Sequence, residues 1–155
     1  SAAAVMCMFV GAPCIYYGTE ILLEGGYDPD NRRCFDWEEE HWDQDFGNQL
    51  RKLLSLRQNG IVESGGISTM AKGDLFVLSR YSDEGELVLV ANQSGEKRSV
   101  SLRGEVLLEN HFHNEEESGK GPEKIQGNLE TDGFLIFKGS KDEVKVIKEV
   151  NEVEQ

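Results

Sequence analysis

The sequence predicts a mainly β chain: an antiparallel β-sandwich over residues 61–155, preceded over residues 1–60 by the last helix–strand–helix piece of a parallel barrel. Three observations carry this. Beyond Gly60, apolar and polar residues alternate, and turn residues break the pattern at short intervals with no helical stretch between. Strands so closely spaced pair antiparallel. Before Gly60, two stretches carry helical signals. Between them lies Gly11-Ala12-Pro13-Cys14-Ile15-Tyr16-Tyr17-Gly18-Thr19-Glu20, a short apolar run of the kind a parallel sheet buries on both faces. A parallel strand needs partners, and little chain precedes this one, so the sequence reads as the tail of a larger protein cut inside its barrel.

The elements follow in order. Residues 2–10 form a helix, because alanine and methionine lose little entropy there, and Gly11 and Pro13 end it. Residues 13–17 are the apolar strand. Residues 18–42 form an irregular loop rich in Gly, Asp, Glu and Arg, and connections of that length are more often functional than idle. In a barrel, the loop leaving a strand's C-terminal end lies on the face that holds the active site. Residues 43–59 form the second helix. Phe46, Leu50, Leu53, Leu54 and Arg57 share one stripe, Asp43 suits the N-cap, Arg51, Lys52 and Arg57 suit the negative C-terminal end, and Gly60 suits a left-handed cap.

Candidate strands follow at 75–78, 87–90, 100–102, 106–108, 134–137 and 144–146, separated by turn signals at Asp83-Glu84-Gly85, Ser94-Gly95-Glu96, Arg103-Gly104 and Thr131-Asp132-Gly133. Asn114 to Gly121 reads as a mobile polar loop and Glu149 to Gln155 as a frayed acidic tail.

Composition narrows the function. The 155 residues suffice for one domain with a sizeable core, or a small domain plus a fragment. A formal charge of −13 argues against nucleic acid, whose phosphates need basic patches, and against an anionic membrane surface. Neutral polar ligands such as sugars stay compatible, and acidity of this kind mostly serves solubility. Cys7, Cys14 and Cys34 make an odd count without C-x-x-C spacing, and two of them lie in apolar runs. That pattern favours a reducing, cytoplasmic setting over a disulfide framework. No run reaches the roughly 18 apolar residues of a membrane span.

Residues 1–37 carry a specific resemblance. The run Gly11 to Glu20, followed by Gly25-Gly26-Tyr27-Asp28-Pro29-Asp30-Asn31-Arg32-Arg33-Cys34 and Trp37, resembles the eighth strand and following loop of alpha-amylase-family glycoside hydrolases, in the neopullulanase, cyclomaltodextrinase and maltogenic amylase branch. In that family a (β/α)8 barrel is followed by an antiparallel C-terminal domain. Residues 43–59 fit helix eight in position and pattern, and residues 61–155 match in architecture alone. The resemblance implies a retaining hydrolase of alpha-glucan oligosaccharides as the parent. It also implies that the nucleophile, acid/base and stabilising Asp sit on strands four, five and seven, all before Ser1. The chain alone is therefore expected to be inactive, with no catalytic residue.

What remains is a piece of the sugar cleft. Asp28 can accept hydrogen bonds from two vicinal hydroxyls and Arg32 can donate a fork of them; by resemblance both line the cleft. The plainer alternative is that they pair with each other and tie the loop down, and the two roles are compatible. Tyr16 and Tyr17 read as barrel core. Trp37 and Trp42 could stack on sugars, but packing on helix 43–59 is the simpler account. Glu20, Asp28, Asp30, Asp36 and Glu38-Glu39-Glu40 include no carboxylate pair forced together across a sugar ring. His111-Phe112-His113 lacks a third ligand, so neither metal nor cofactor is expected. Two readings compete: a non-catalytic fragment of a cytoplasmic alpha-glucan hydrolase, or a free-standing β-sandwich that binds carbohydrate or protein. The orphaned barrel residues of 2–23 also predict self-association, through Val5, Met6, Phe9, Val10, Ile15, Tyr16 and Ile21.

Overall fold

Alanine and methionine carry residues 2–8 into a helix, α1 (Ala2–Met8), in the computed structural model, which describes residues 1–114 and 124–147. The helix stops two residues short of the expected length, and Phe9 is already extended (φ −74°, ψ 165°). Residues 13–17, expected as a strand, join no ladder. Every paired strand among the described residues runs antiparallel. A lone parallel strand without neighbours has no hydrogen-bond partners to hold it.

The loop 18–42 contains three single 3-10 turns, at Thr19–Ile21, Asp30–Arg32 and Glu39–His41. Asp43 then caps α2 (Gln44–Ser55) as expected, accepting from the Phe46 amide at 2.8 Å. The helix ends earlier than Asn59. A tight turn at Leu56–Gln58 leads to Asn59, whose side chain caps a further short helix, α3 (Gly60–Ser64). Gly60 is therefore the first residue of that helix and not a left-handed cap.

Six strands follow: β1 (Gly66–Lys72), β2 (Leu75–Ser82), β3 (Gly85–Asn92), β4 (Arg98–Asn114), β5 (Lys124–Gly139) and β6 (Lys145–Ile147), in sheet order β1-β2-β3-β5-β4-β6. The expected strands at 75–78, 87–90 and 134–137 lie inside β2, β3 and β5. Those at 100–102 and 106–108 are one strand, β4, so Arg103-Gly104 is a bulge and not a turn. Likewise Thr131-Asp132-Gly133 lies within β5. Sequence patterning misses β1. The acidic tail from Glu149, and residues 115–121 of the expected mobile loop, fall outside the described residues.

The long strands make the sandwich. Residues 98–103 pair with 124–129, residues 104–110 pair with the far half of β5, and residues 112–114 return to 127–129. The pairing breaks register between Arg103 and Gly104, between Val106 and Leu108 and between Asn110 and Phe112, so β4 runs first along one half of β5, then along the other, and back again, all within one six-stranded sheet. Gly104, at φ +153°, sits at the corner, where a Cβ would strike the Lys138 carbonyl and the Phe137 ring.

Period-2 alternation splits the strands' side chains into two cores. Val77, Val88, Val90, Val100, Leu102, Phe112, Ile125, Leu129, Leu135 and Phe137 fill the inside of the curl. Leu78, Leu87, Leu89, Leu108, Phe134 and Ile136 face the other way, against Ala4, Cys7 and Met8 of α1, Leu53 of α2 and Ile61 and Val62 of α3. This is why the strands read as unbroken apolar runs: the central sheet is covered on both sides. No helix among the described residues is long and apolar enough to cross a membrane.

Candidate functional site

The loop between α1 and α2 is where the chain exposes its large apolar side chains. Phe9, Val10, Tyr16, Tyr17, Leu22, Tyr27 and Trp37 are all exposed; elsewhere among the described residues only Tyr81 and Leu107 are. The expectation that Tyr16 and Tyr17 are core is not met within this chain. Their rings pack on each other, with centroids 4.7 Å apart. Ile21, by contrast, is buried, in the turn that contacts α2.

Asp28 and Arg32 are brought together. The 3-10 turn at Asp30–Arg32 swings the Arg32 guanidinium back onto the Asp28 carboxylate, and both side chains stay largely in solvent, at 67% and 62% exposed. The pair presents an anionic acceptor beside a fork of donors, a chemistry suited to neighbouring hydroxyls.

A second pair lies beside it and was not singled out from the sequence. Arg33 grips Asp30 in a bidentate fork, Nε–Oδ1 2.6 Å and Nη2–Oδ2 2.7 Å. The Arg33 hydrogen bond holds the Asp30 carboxyl below the usual carboxylate range. The Tyr17 hydroxyl donates to the Arg33 carbonyl at 2.8 Å, clipping the start of the loop to its far side. Tyr16, Tyr17, Gly25, Gly26, Asp30 and Arg33 contribute to a polar cleft of about 240 Å³.

Downstream, Asp36 organises the return to α2. Its carboxylate accepts from the Glu38 amide at 3.0 Å and pairs with His41 Nδ1 at 2.9 Å, and its pKa is lowered first by the Glu38 bond and then by His41. The Trp42 indole donates to the Asp36 carbonyl at 2.8 Å. Phe35 stacks between Trp37 and Trp42, with centroids 4.6 and 6.0 Å away. Trp42 thus packs on the loop and α2 as expected, whereas Trp37 stands 78% exposed.

Asp28 pairs with Arg32, Asp30 with Arg33, and Asp36 with His41 and the Glu38 amide. His111 and His113 are both exposed beside the buried Phe112, and the described residues hold no group of three or more side chains able to bind a metal ion.

No family model matches the chain. It is 37% identical over 124 residues to a cyclomaltodextrinase of Thermoanaerobacter pseudethanolicus, covering 78% of this chain and 20% of that protein. It is 38% identical over 105 residues to an intracellular maltogenic amylase of Bacillus subtilis, covering 64% of this chain and 18% of that one. Among solved structures, the maltogenic amylase from S. marinus superposes with a TM-score of 0.72 at 27% identity, over 90% of this chain and 19% of its own. The chain therefore spans about a fifth of the length of these relatives.

Proposed function

We propose, for a chain that belongs to the C-terminal part of the cyclomaltodextrinase, maltogenic amylase and neopullulanase branch of the alpha-amylase family, that it serves a hydrolase of alpha-glucan oligosaccharides as its C-terminal domain and one wall of its sugar cleft. Residues 1–60 are the end of the catalytic barrel, and residues 61–155 are the β-sandwich domain. Asp28 and Arg32 bind substrate; the chain carries no catalytic carboxylate. The observation behind this reading is the exposed Asp28–Arg32 pair, an anionic acceptor beside a fork of donors, on the loop between α1 and α2.

The setting is cytoplasmic, in keeping with free Cys7, Cys14 and Cys34. The isolated chain self-associates through residues 2–23. Because α1 is already packed on the sheet, Phe9, Val10, Tyr16 and Leu22 supply the contact.

The test is made in the parent hydrolase. Arg32→Ala removes a charge-assisted donor worth about 1.5–3 kcal/mol, so kcat/KM on maltooligosaccharides falls roughly tenfold to a hundredfold. An unchanged kcat/KM reduces the pair to a structural tie.

A further inference from the structure

Two arginines converge on the C-terminal end of α1 with no carboxylate between them. Arg80, on β2, is only 2% exposed, yet it makes no ion pair among the described residues. Its guanidinium instead donates to backbone carbonyls on two elements: Nη1 to Met8 (3.2 Å) and Phe9 (3.5 Å), Nη2 to Gly65 (2.7 Å), and Nε to Gly66 (3.1 Å). Arg57, after α2, donates to Cys7 (3.2 Å), to Phe9 (2.6 Å) and to Gly11.

A helix leaves its last carbonyls unpaired and negatively polarised, and here two cations take them up. The arrangement is costly to disturb. A buried guanidinium without a carboxylate is tolerated only while its donors are satisfied, and the two positive charges stand close enough that Arg57, after burial itself, lowers the Arg80 pKa.

The carbonyls gripped here are those of Cys7, Met8, Phe9 and Gly11, where the chain leaves α1 for the loop that carries Asp28 and Arg32. Tyr17 then clips to the Arg33 carbonyl, so a continuous path runs from β2 to that loop. We infer that Arg57 and Arg80 are positioning residues for the loop 25–33: they fix the end of α1, and with it the direction in which residues 9–16 deliver the loop. The consequence for sugar binding rests on the reading of Asp28 and Arg32 given above; the clamp itself does not.

Hydrogen exchange on the 155-residue chain tests the clamp. Amides that close the loop's turns report its fixation: Thr19 on Tyr16, Leu23 on Gly18, Asp30 on Tyr27 and Arg32 on Pro29. In Arg80→Lys and Arg57→Gln these exchange about tenfold faster or more, while sheet amides in 87–90 and 134–137 stay within about twofold. Uniform acceleration, the signature of lost global stability, overturns the inference, as does an unchanged loop. Should Arg80→Lys fail to fold, Arg57→Gln decides alone, since that side chain is only half-buried.

In the parent hydrolase, Arg57→Gln raises KM for a cyclodextrin at unchanged kcat. A fall in kcat at unchanged KM overturns the positioning role. Asp28→Asn, measured beside it, separates the two ideas: if that variant binds sugar normally the cleft reading fails, while loop-specific exchange still establishes the clamp.

Discussion

Asp28 and Arg32 hold each other across an exposed turn, so on the proposed reading a bound sugar either bridges the pair or parts it. Their neighbours decide how firmly the turn is held. The Asp30–Arg33 fork predicts that a carboxyl-carbon NMR titration places the Asp30 midpoint below the ordinary aspartate range, and that Arg33→Gln moves it up. The folded-state value is the depressed one. The fork's contribution is therefore full above the unfolded aspartate pKa of about 4 and is lost as pH falls through the folded value, so the loop loosens only in acid. An Asp30 midpoint at the ordinary value, indifferent to Arg33→Gln, contradicts the assignment. Among these residues the Asp28–Arg32 pair is legible in the sequence, because an acid and a base four positions apart in a loop held by Gly25-Gly26 and Pro29 can meet, and because that loop resembles the alpha-amylase family's. The Asp30–Arg33 fork is not: two acids and two bases within six positions allow several pairings, and only the backbone turn selects one. Arg80 is hidden for another reason. An arginine late in an apolar strand reads as the strand emerging into water, whereas here it enters a bed of carbonyls.

At the scale of elements, the strands with alternating Val, Leu, Ile and Phe are legible, and the corners are not. Glycine with positive φ serves a turn and a bulge equally, so Arg103-Gly104 reads as a chain reversal when it is a kink within β4. The strand β1 escapes notice as an edge strand with few buried positions. The corners also concentrate stability. Gly104→Ala forces a side chain into the Lys138 carbonyl at a strained φ, and we expect a loss on the order of 3 kcal/mol in chemical denaturation. The buried Asn92 ties the end of β3 to the carbonyls of Glu96, Leu129 and Glu130 at 2.7, 3.0 and 3.1 Å. Asn92→Ala orphans those acceptors and costs about 2–4 kcal/mol. Either variant unfolding with wild-type midpoint and slope removes its corner from the account.

For the whole molecule, the sequence predicts a helix, a strand, a loop and a second helix ahead of a β domain; the structure leaves the strand at 13–17 unpaired and adds that α1, α2 and α3 share one core with the sheet. Ala4, Cys7 and Met8 of α1 are thereby part of the folded unit, while the loop after them exposes its aromatic and aliphatic side chains. On the proposed reading this surface mediates self-association. Light scattering at high concentration gives a species larger than a monomer, and replacing exposed Phe9, Tyr16 and Leu22 together by serine returns a monomer. A wild-type chain that stays monomeric at every concentration refutes this.

On the proposed reading the chain holds a wall of a sugar cleft without the machinery to cut sugars, which a reducing-end assay on the purified 155-residue chain tests. Incubated with maltotriose, pullulan and cyclodextrins, the chain is predicted to release no reducing ends. Release that survives repurification and disappears in Asp28→Asn would contradict the account.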